Sequence, residues 1–221
     1  MKTICIVGNS PHTKGLGLGS KIDSHDVVVR SGRFYCDPHD FGTKVTHWYL
    51  GPWILQSLRT HNPLVKTGKI KPIAILDDQL AFLKNSVGPK CLHLMSWSNK
   101  GSSWTVEDRK DVLAEISGSC SDVEVVQHKN NLGALELLVY YPKEKNEISG
   151  VHIHPTTGKR LIHHYVSKYG KISIAGFGGG KENVKKMSTS GYHSLETDYR
   201  LIDILIDAGK IENIEGTYIY R

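Results

Sequence analysis

Short apolar runs alternate along this chain with stretches of helical periodicity. Residues 4–7 (Ile-Cys-Ile-Val) and 27–29 (Val-Val-Val) are continuous apolar runs, and similar β-rich segments fall near 44–50, 72–76, 91–94, 122–126, 172–175 and 217–220. Runs this short, bounded by Gly, Pro, Asn and Ser, read as strands covered on both faces. Between them, apolar residues recur at three- and four-residue intervals near 78–85, 106–117, 156–168 and 195–208, which predicts helices. The alternation predicts an α/β fold with a mostly parallel central sheet flanked by helices, in a single domain over residues 1–221.

Ligands of such sheets bind at the carboxyl ends of the strands. Two small-residue turns should fall there, Gly8-Asn9-Ser10-Pro11 and Gly176-Phe177-Gly178-Gly179-Gly180. In the first, the backbone can approach a ligand and present N–H groups, while Asn9 offers an amide and Ser10 a hydroxyl to a phosphate or a base edge. A plain polar β-turn is the alternative. The predicted helix after His154 opens with Pro155-Thr156-Thr157-Gly158. Its hydroxyls and unpaired N–H groups could hold an anion, or Thr156 or Thr157 could simply cap the helix.

Gly15, Gly17 and Gly19 suggest a dinucleotide-binding fingerprint, but they begin eight residues after Val7 rather than straight after the strand. The second strand runs into Arg30 where that fingerprint wants an acid. Both features argue against a nicotinamide cofactor.

Composition narrows the classes. Hydrophobic residues make up 39% and charged residues 23% of 221 residues, with no charge block or low-complexity tract, as in an ordinary globular protein. No apolar stretch has the length of a membrane span, and Met1-Lys2 leads directly into the first strand, so the expectation is a cytoplasmic protein. The formal charge of +6 fits an anionic partner, yet no basic stripe with interleaved aromatics is present and nucleic acid is not expected. The densest positive patches, residues 66–71 and 181–186, read as solvated loops. Cys5, Cys36, Cys91 and Cys120 are widely and irregularly spaced, which excludes C-x-x-C motifs and predicts free thiols.

Three segments in order resemble the sialyltransferases of glycosyltransferase family 29. Val7-Gly8-Asn9-Ser10, residues 22–30 (Ile-Asp-Ser-His-Asp-Val-Val-Val-Arg) and residues 41–47 (Phe-Gly-Thr-Lys-Val-Thr-His) are similar to that family's large motif and its continuation. Pro155-Thr156-Thr157-Gly158 through Ile172 to Gly176-Phe177 resembles its small motif, and Gly191-Tyr192-His193-Ser194-Leu195-Glu196-Thr197-Asp198 its very small motif.

The resemblance implies a GT-A-like, Rossmann-type fold and an inverting, metal-independent transfer of sialic acid from a CMP-sugar donor to a glycan or glycolipid acceptor, with no cofactor. It implies that Asn9 and Ser10 hold nucleotide and phosphate, that Thr156, Thr157, Gly158 and Phe177 lie on the donor side, and that His193 is the general base. An imidazole that titrates near neutrality suits that role, because it can take the proton of an incoming hydroxyl while a phosphate leaves.

Departures from the pattern qualify this reading. The family's lumenal members join two motifs by a disulfide; Ile4 and Tyr169 stand at those places, which points to a bacterial or virus-encoded member. Ser31-Gly32 replaces an expected asparagine, and residues 178–190 lack the histidine that would assist the leaving phosphate. Lys181, His154 or the glycine run are alternatives for that task. A catalytically degenerate CMP- or nucleotide-binding protein on the same fold is therefore a second reading, and a peripheral membrane contact stays open.

Other chemistry is less well supported. Asp77-Asp78 follows an apolar run but lacks the D-x-D spacing of a metal-dependent transferase, and reads as a helix cap. His152-x-His154 and His163-His164 have no Cys or acidic companions at zinc-like spacing, so no metal site is expected. The sequence leaves the sugar open among sialic acid and related nonulosonic or Kdo-type acids, and acceptor contacts are expected in residues 97–104 and 142–153.

Overall fold

The computed structural model describes residues 2–50, 81–82, 84–86, 90–95, 123–128, 155–179, 194–216 and 219–220. Among these residues the strands are β1 (Ile4–Val7), β2 (Val27–Ser31), β3 (His47–Leu50), β4 (Lys90–Met95), β5 (Val123–His128), β6 (Ile172–Ala175) and β7 (Ile211–Asn213). They form one sheet in the order β5-β4-β3-β2-β1-β6-β7, and every neighbouring pair is parallel. The expected parallel α/β sheet is therefore present.

Parallel strands need helices on their faces, and the residues of β1 divide between two cores accordingly. Ile4 and Ile6 point into a cluster with Leu161, Ile162 and Tyr165 of α3 (Thr157–Tyr169) and with Tyr199 and Ile202 of α4 (Leu195–Asp207). Cys5 and Val7 point the other way, towards Ile22 of α1 (Gly19–Asp23) and Phe41 of α2 (Pro38–Phe41). All four β1 residues are buried, which is why that segment is uniformly apolar. Cys5, Cys36 and Cys91 are free thiols, as expected, and burial pushes the Cys5 thiol up to about 12, out of reach of ordinary thiol chemistry.

Several sequence expectations shift. The last strand is Ile211–Asn213, whereas Ile219 and Tyr220, expected in a strand near 217–220, lie outside any strand. The Asp203 carboxylate on α4 accepts the backbone N–H groups of Ile219 (2.8 Å) and Tyr220 (3.1 Å), taking donors that a strand ladder would use. Helices α1 and α2 span five and four residues, too short to leave a periodic signal. The strand expected near 72–76, the helix near 106–117 and the Asp77-Asp78 cap lie outside the described residues, as does Cys120.

Arg30, the residue that argued against a nicotinamide cofactor, is fully buried on the α1/α2 face. Its Nε donates to Lys44 O (3.1 Å) and its Nη2 to Phe41 O (2.5 Å), while the Phe34 and Phe82 rings lie 5.2 and 5.4 Å from the guanidinium carbon. Burial lowers its pKa to about 10, still well above neutrality. The guanidinium fixes the segment between β2 and β3 and serves the scaffold.

Strand order reverses beside β1: the chain steps outward through β2, β3, β4 and β5 on one side and through β6 and β7 on the other. In parallel sheets this reversal opens a crevice beyond the carboxyl ends of the two central strands, because their connections leave towards opposite faces. Here those strands are β1 and β6, and the two small-residue turns identified in the sequence follow them directly.

Candidate active site

The turns after β1 and β6 meet backbone to backbone. Gly8 N–H donates to Ala175 O (2.7 Å) and Ser10 N–H to Gly176 O (2.8 Å). A Cβ on Gly8 would lie 2.3 Å from Gly176 O, and one on Gly176, whose φ is 76°, would lie 2.3 Å from Gly8 O. Only a pair of glycines permits this crossing.

Side chains brace the crossing. Ser10 Oγ is buried, donates to Gly178 O (2.7 Å) and accepts from His12 N (3.3 Å), capping a 3-10 turn over Pro11–Thr13. Glu215, just beyond β7, accepts from Gly176 N (2.9 Å) and from Thr13 Oγ1 (2.6 Å). Sequence reasoning missed Glu215, since no local pattern tells that this acid returns to a turn 39 residues earlier. Asn9 is exposed and its Nδ2 donates to Ser31 O (3.0 Å), tying the end of β1 to the end of β2. Trp48 Nε1 donates to Gly32 O (2.9 Å). Both carbonyls of the Ser31-Gly32 bend are thereby engaged, and the residues that replace the expected asparagine form a backbone anchor.

Helix α3 immediately precedes β6 and runs back against it, so its N-terminus lies at the same carboxyl edge of the sheet. Thr156 is its N-cap, with Oγ1 accepting from Lys159 N (3.3 Å). Its first turn contains no acidic residue, which leaves the positive end of the helix dipole uncancelled by its own carboxylates. A Cβ on Gly158 would lie 2.7 Å from Phe177 Cε1, and one on Gly8 would lie 3.1 Å from Phe177 Cδ2. The buried Phe177 ring therefore stands between the β1 turn and the helix cap. In this way Asn9, Ser10, Thr156, Thr157, Gly158 and Phe177 come to one edge from three segments.

Helix α4 braces the cap. Ser194 is its N-cap, and Asp198 in its first turn is 1% exposed and accepts from Thr156 N (3.1 Å). Glu196 is exposed and pairs with Arg200 (2.7 Å), so of the two acids after His193 it is Asp198 that turns inward. Lys159, also 1% exposed, lies beside Asp198. Burial drives the ammonium pKa down to about 8, with the Asp198 carboxylate drawing it part of the way back. The sequence indicated neither the Thr156–Asp198 contact nor the burial of Lys159. His193 directly precedes the Ser194 cap and lies outside the described residues, as do His152, His154 and Lys181.

The Gly15–Gly17 loop has another role. Gly15 N (2.6 Å) and Gly17 N (3.0 Å) both donate to the Asp40 carboxylate, whose pKa these bonds hold below the usual range. N–H groups bound to an internal carboxylate do not cradle a pyrophosphate, in agreement with the sequence argument against a dinucleotide fingerprint.

A family model described as glycosyltransferase family 29 (sialyltransferase) matches residues 1–210. The chain is similar to the solved structure of a mammalian sialyltransferase in complex with Gal-beta-1-3GalNAc-ortho-nitrophenol, with a TM-score of 0.57 and 16% identity over 98% of this chain and 70% of that one. It is also similar to an alpha-2,3-sialyltransferase from Campylobacter jejuni in apo form, with a TM-score of 0.51 and 18% identity over 99% and 77%. A third similar structure is the sialyltransferase CstII from Campylobacter jejuni in complex with a substrate analogue, CMP-3FNeuAc, with a TM-score of 0.50 and 18% identity over 96% and 79%. At these identities the likeness speaks to the fold, which is the GT-A-like α/β fold expected. No curated protein matches the sequence.

Proposed function

The chain belongs to glycosyltransferase family 29, the sialyltransferases, and on that premise we propose that it transfers sialic acid, or a related nonulosonic or Kdo-type sugar, from a CMP-activated donor to a glycan hydroxyl. The observation that carries this reading is the convergence of the Gly8-Asn9-Ser10 turn, the Gly176-Phe177 turn and the Thr156 cap at the crevice between β1 and β6. The turn N–H groups of Gly8, Ser10 and Gly176 are engaged within the protein, so the dipoles left for a nucleoside monophosphate are those of the 13-residue helix α3 at its N-terminus and of its Thr156 and Thr157 hydroxyls.

In the proposed reaction the acceptor oxygen attacks the anomeric carbon as the bond from that carbon to the CMP phosphate oxygen breaks, which inverts the centre. His193 takes the hydroxyl proton, and CMP leaves with the electron pair. No metal takes part; the α3 dipole and the cap hydroxyls stabilise the leaving phosphate. Asp198 acts indirectly, holding the Thr156 cap in place from the helix that follows His193.

The test is release of CMP from a panel of CMP-sugars, with and without acceptor glycans, together with calorimetry of CMP binding. CMP binding weakened by Asn9→Ala, and turnover lost in His193→Ala with binding retained, are the expected results. Absence of CMP binding would defeat the proposal. The engagement of the Ser31 and Gly32 carbonyls, at the place of an expected nucleotide contact, favours the second reading of a degenerate nucleotide-binding protein. That reading predicts CMP binding with no CMP release from any CMP-sugar and no effect of His193→Ala.

A further inference from the structure

We propose that His47, Cys91 and His93 bind a thiophilic divalent transition-metal ion, zinc by the donor set, with the fourth coordination position left to water, on the half of the sheet opposite the donor edge. His47 is the first residue of β3, and Cys91 is the second and His93 the fourth of β4. The parallel register sets His47 beside Cys91 and Cys91 beside Glu124 of β5, so the three lie in one row across three strands. His93, two residues beyond Cys91, faces the same side.

The geometry suits an ion. His47 Nδ1 and His93 Nε2 are 2.8 Å apart, and the ligand atoms of His47, Cys91 and His93 all lie within 4.8 Å of one another. A tetrahedral zinc ion, with bonds of about 2.0–2.3 Å, places its ligand atoms roughly 3.3–3.7 Å apart. The imidazoles need to separate by about half an ångström and the sulfur to approach by at most about one, within the range of small side-chain rotations. Glu124 is exposed and is not part of that cluster, so among the described residues the ion has three protein ligands.

A half-buried histidine against a buried one can be no more than core packing, and a single hydrogen bond between the rings would satisfy that role. The thiol within reach of both rings is what turns this pair into a mixed nitrogen and sulfur donor set. The surroundings also hold the ligands in place. Tyr49 stacks on His93 with centroids 4.0 Å apart and planes 5° apart, and the Tyr165 ring stands 6.5 Å from His47. His47 and Cys91 are half-buried, which leaves an ion a way in from solvent. The ion would tie β3 to β4 across the long connection 51–89, the circumstance in which a cross-link constrains the unfolded chain most.

The test uses the full chain, stripped with chelator and titrated with Co²⁺ and then Zn²⁺. One equivalent of Co²⁺ should produce a thiolate-to-cobalt charge-transfer band that Zn²⁺ abolishes. Cys91→Ser, which keeps the side-chain volume, should retain the wild-type circular dichroism, lose the band and bind Zn²⁺ at least about tenfold more weakly. His93→Gln should weaken Zn²⁺ to a similar degree, and His163→Gln should leave both signals unchanged. No charge-transfer band in the wild-type protein, or a band that survives Cys91→Ser, would overturn the proposal.

Discussion

Replacing Gly8 by alanine tests the backbone crossing that builds the donor edge. The added Cβ would lie 2.3 Å from Gly176 O and 2.9 Å from Gly176 C, against an ordinary contact of 3.4 Å or more, so the two turns must separate by about 1 Å. The obstructing atoms are backbone, and no rotamer change relieves them. Overpacking of this kind costs about 1–3 kcal/mol. A separation of about 1 Å would also break the bonds Gly8 N to Ala175 O (2.7 Å) and Ser10 N to Gly176 O (2.8 Å), each worth about 1 kcal/mol net. The expected loss is therefore about 3–5 kcal/mol, a large share of the roughly 5–15 kcal/mol that holds a typical domain folded. Gly15→Ala is the control: its φ is 84° but nothing lies within 4 Å, so only left-handed backbone strain of about 1–2 kcal/mol is expected. Urea denaturation followed by circular dichroism measures both, and calorimetry under native conditions reports whether residual folded Gly8→Ala protein binds CMP. Should Gly8→Ala prove no less stable than Gly15→Ala, the crossing does not have the rigidity argued for it.

Two pH dependences follow from named groups. Lys159 has its pKa lowered to about 8 from an ordinary 10.5, so between those values the unfolded chain binds more protons and folding stability rises with pH. Relative to wild type, Lys159→Met should lack a stability gain of up to about 3 kcal/mol between pH 8 and 10; parallel stability curves for the two proteins would contradict the burial argument. Asp40 has the opposite sign: its lowered pKa means that its stabilising effect is present above the ordinary value of 3.8 and is lost as pH falls through the folded value. Asp40→Ala should lower the Tm at pH 7 by an amount that shrinks steadily below pH 4, and a difference independent of pH would assign the effect to packing.

The parts of the fold legible in the sequence are those with local causes. β1 and β6 announce themselves as four-residue runs because both of their faces are covered, and α3 runs from a Thr156 cap to Gly170 with its apolar face in register. β7 was illegible because three residues carry no period, and because the apolar residues that follow it are held by Asp203 instead of a neighbouring strand. At the candidate site the glycine turns could be placed on the correct edge from topology alone. Their bracing could not, since Glu215 on Gly176, Asp40 on Gly15 and Asp198 on Thr156 are contacts between residues 25 to 42 positions apart. A carboxylate that meets a distant backbone N–H leaves no pattern in its own neighbourhood.

The position of β1 between β2 and β6 also sets the order in which a nascent chain can complete itself. β1 can pair with β2 almost as soon as residue 31 is free of the ribosome, but its other edge awaits Ser173, and Ser10 awaits Gly178, 168 residues later. At typical synthesis rates that is roughly 8–35 s during which a strand apolar on both sides keeps one edge open to pairing with other chains. The N-terminal turn is the first part of the crevice to be made and the last to be locked, so a chain stalled before β6 has the apolar strand without its partner and without the edge that would hold a ligand.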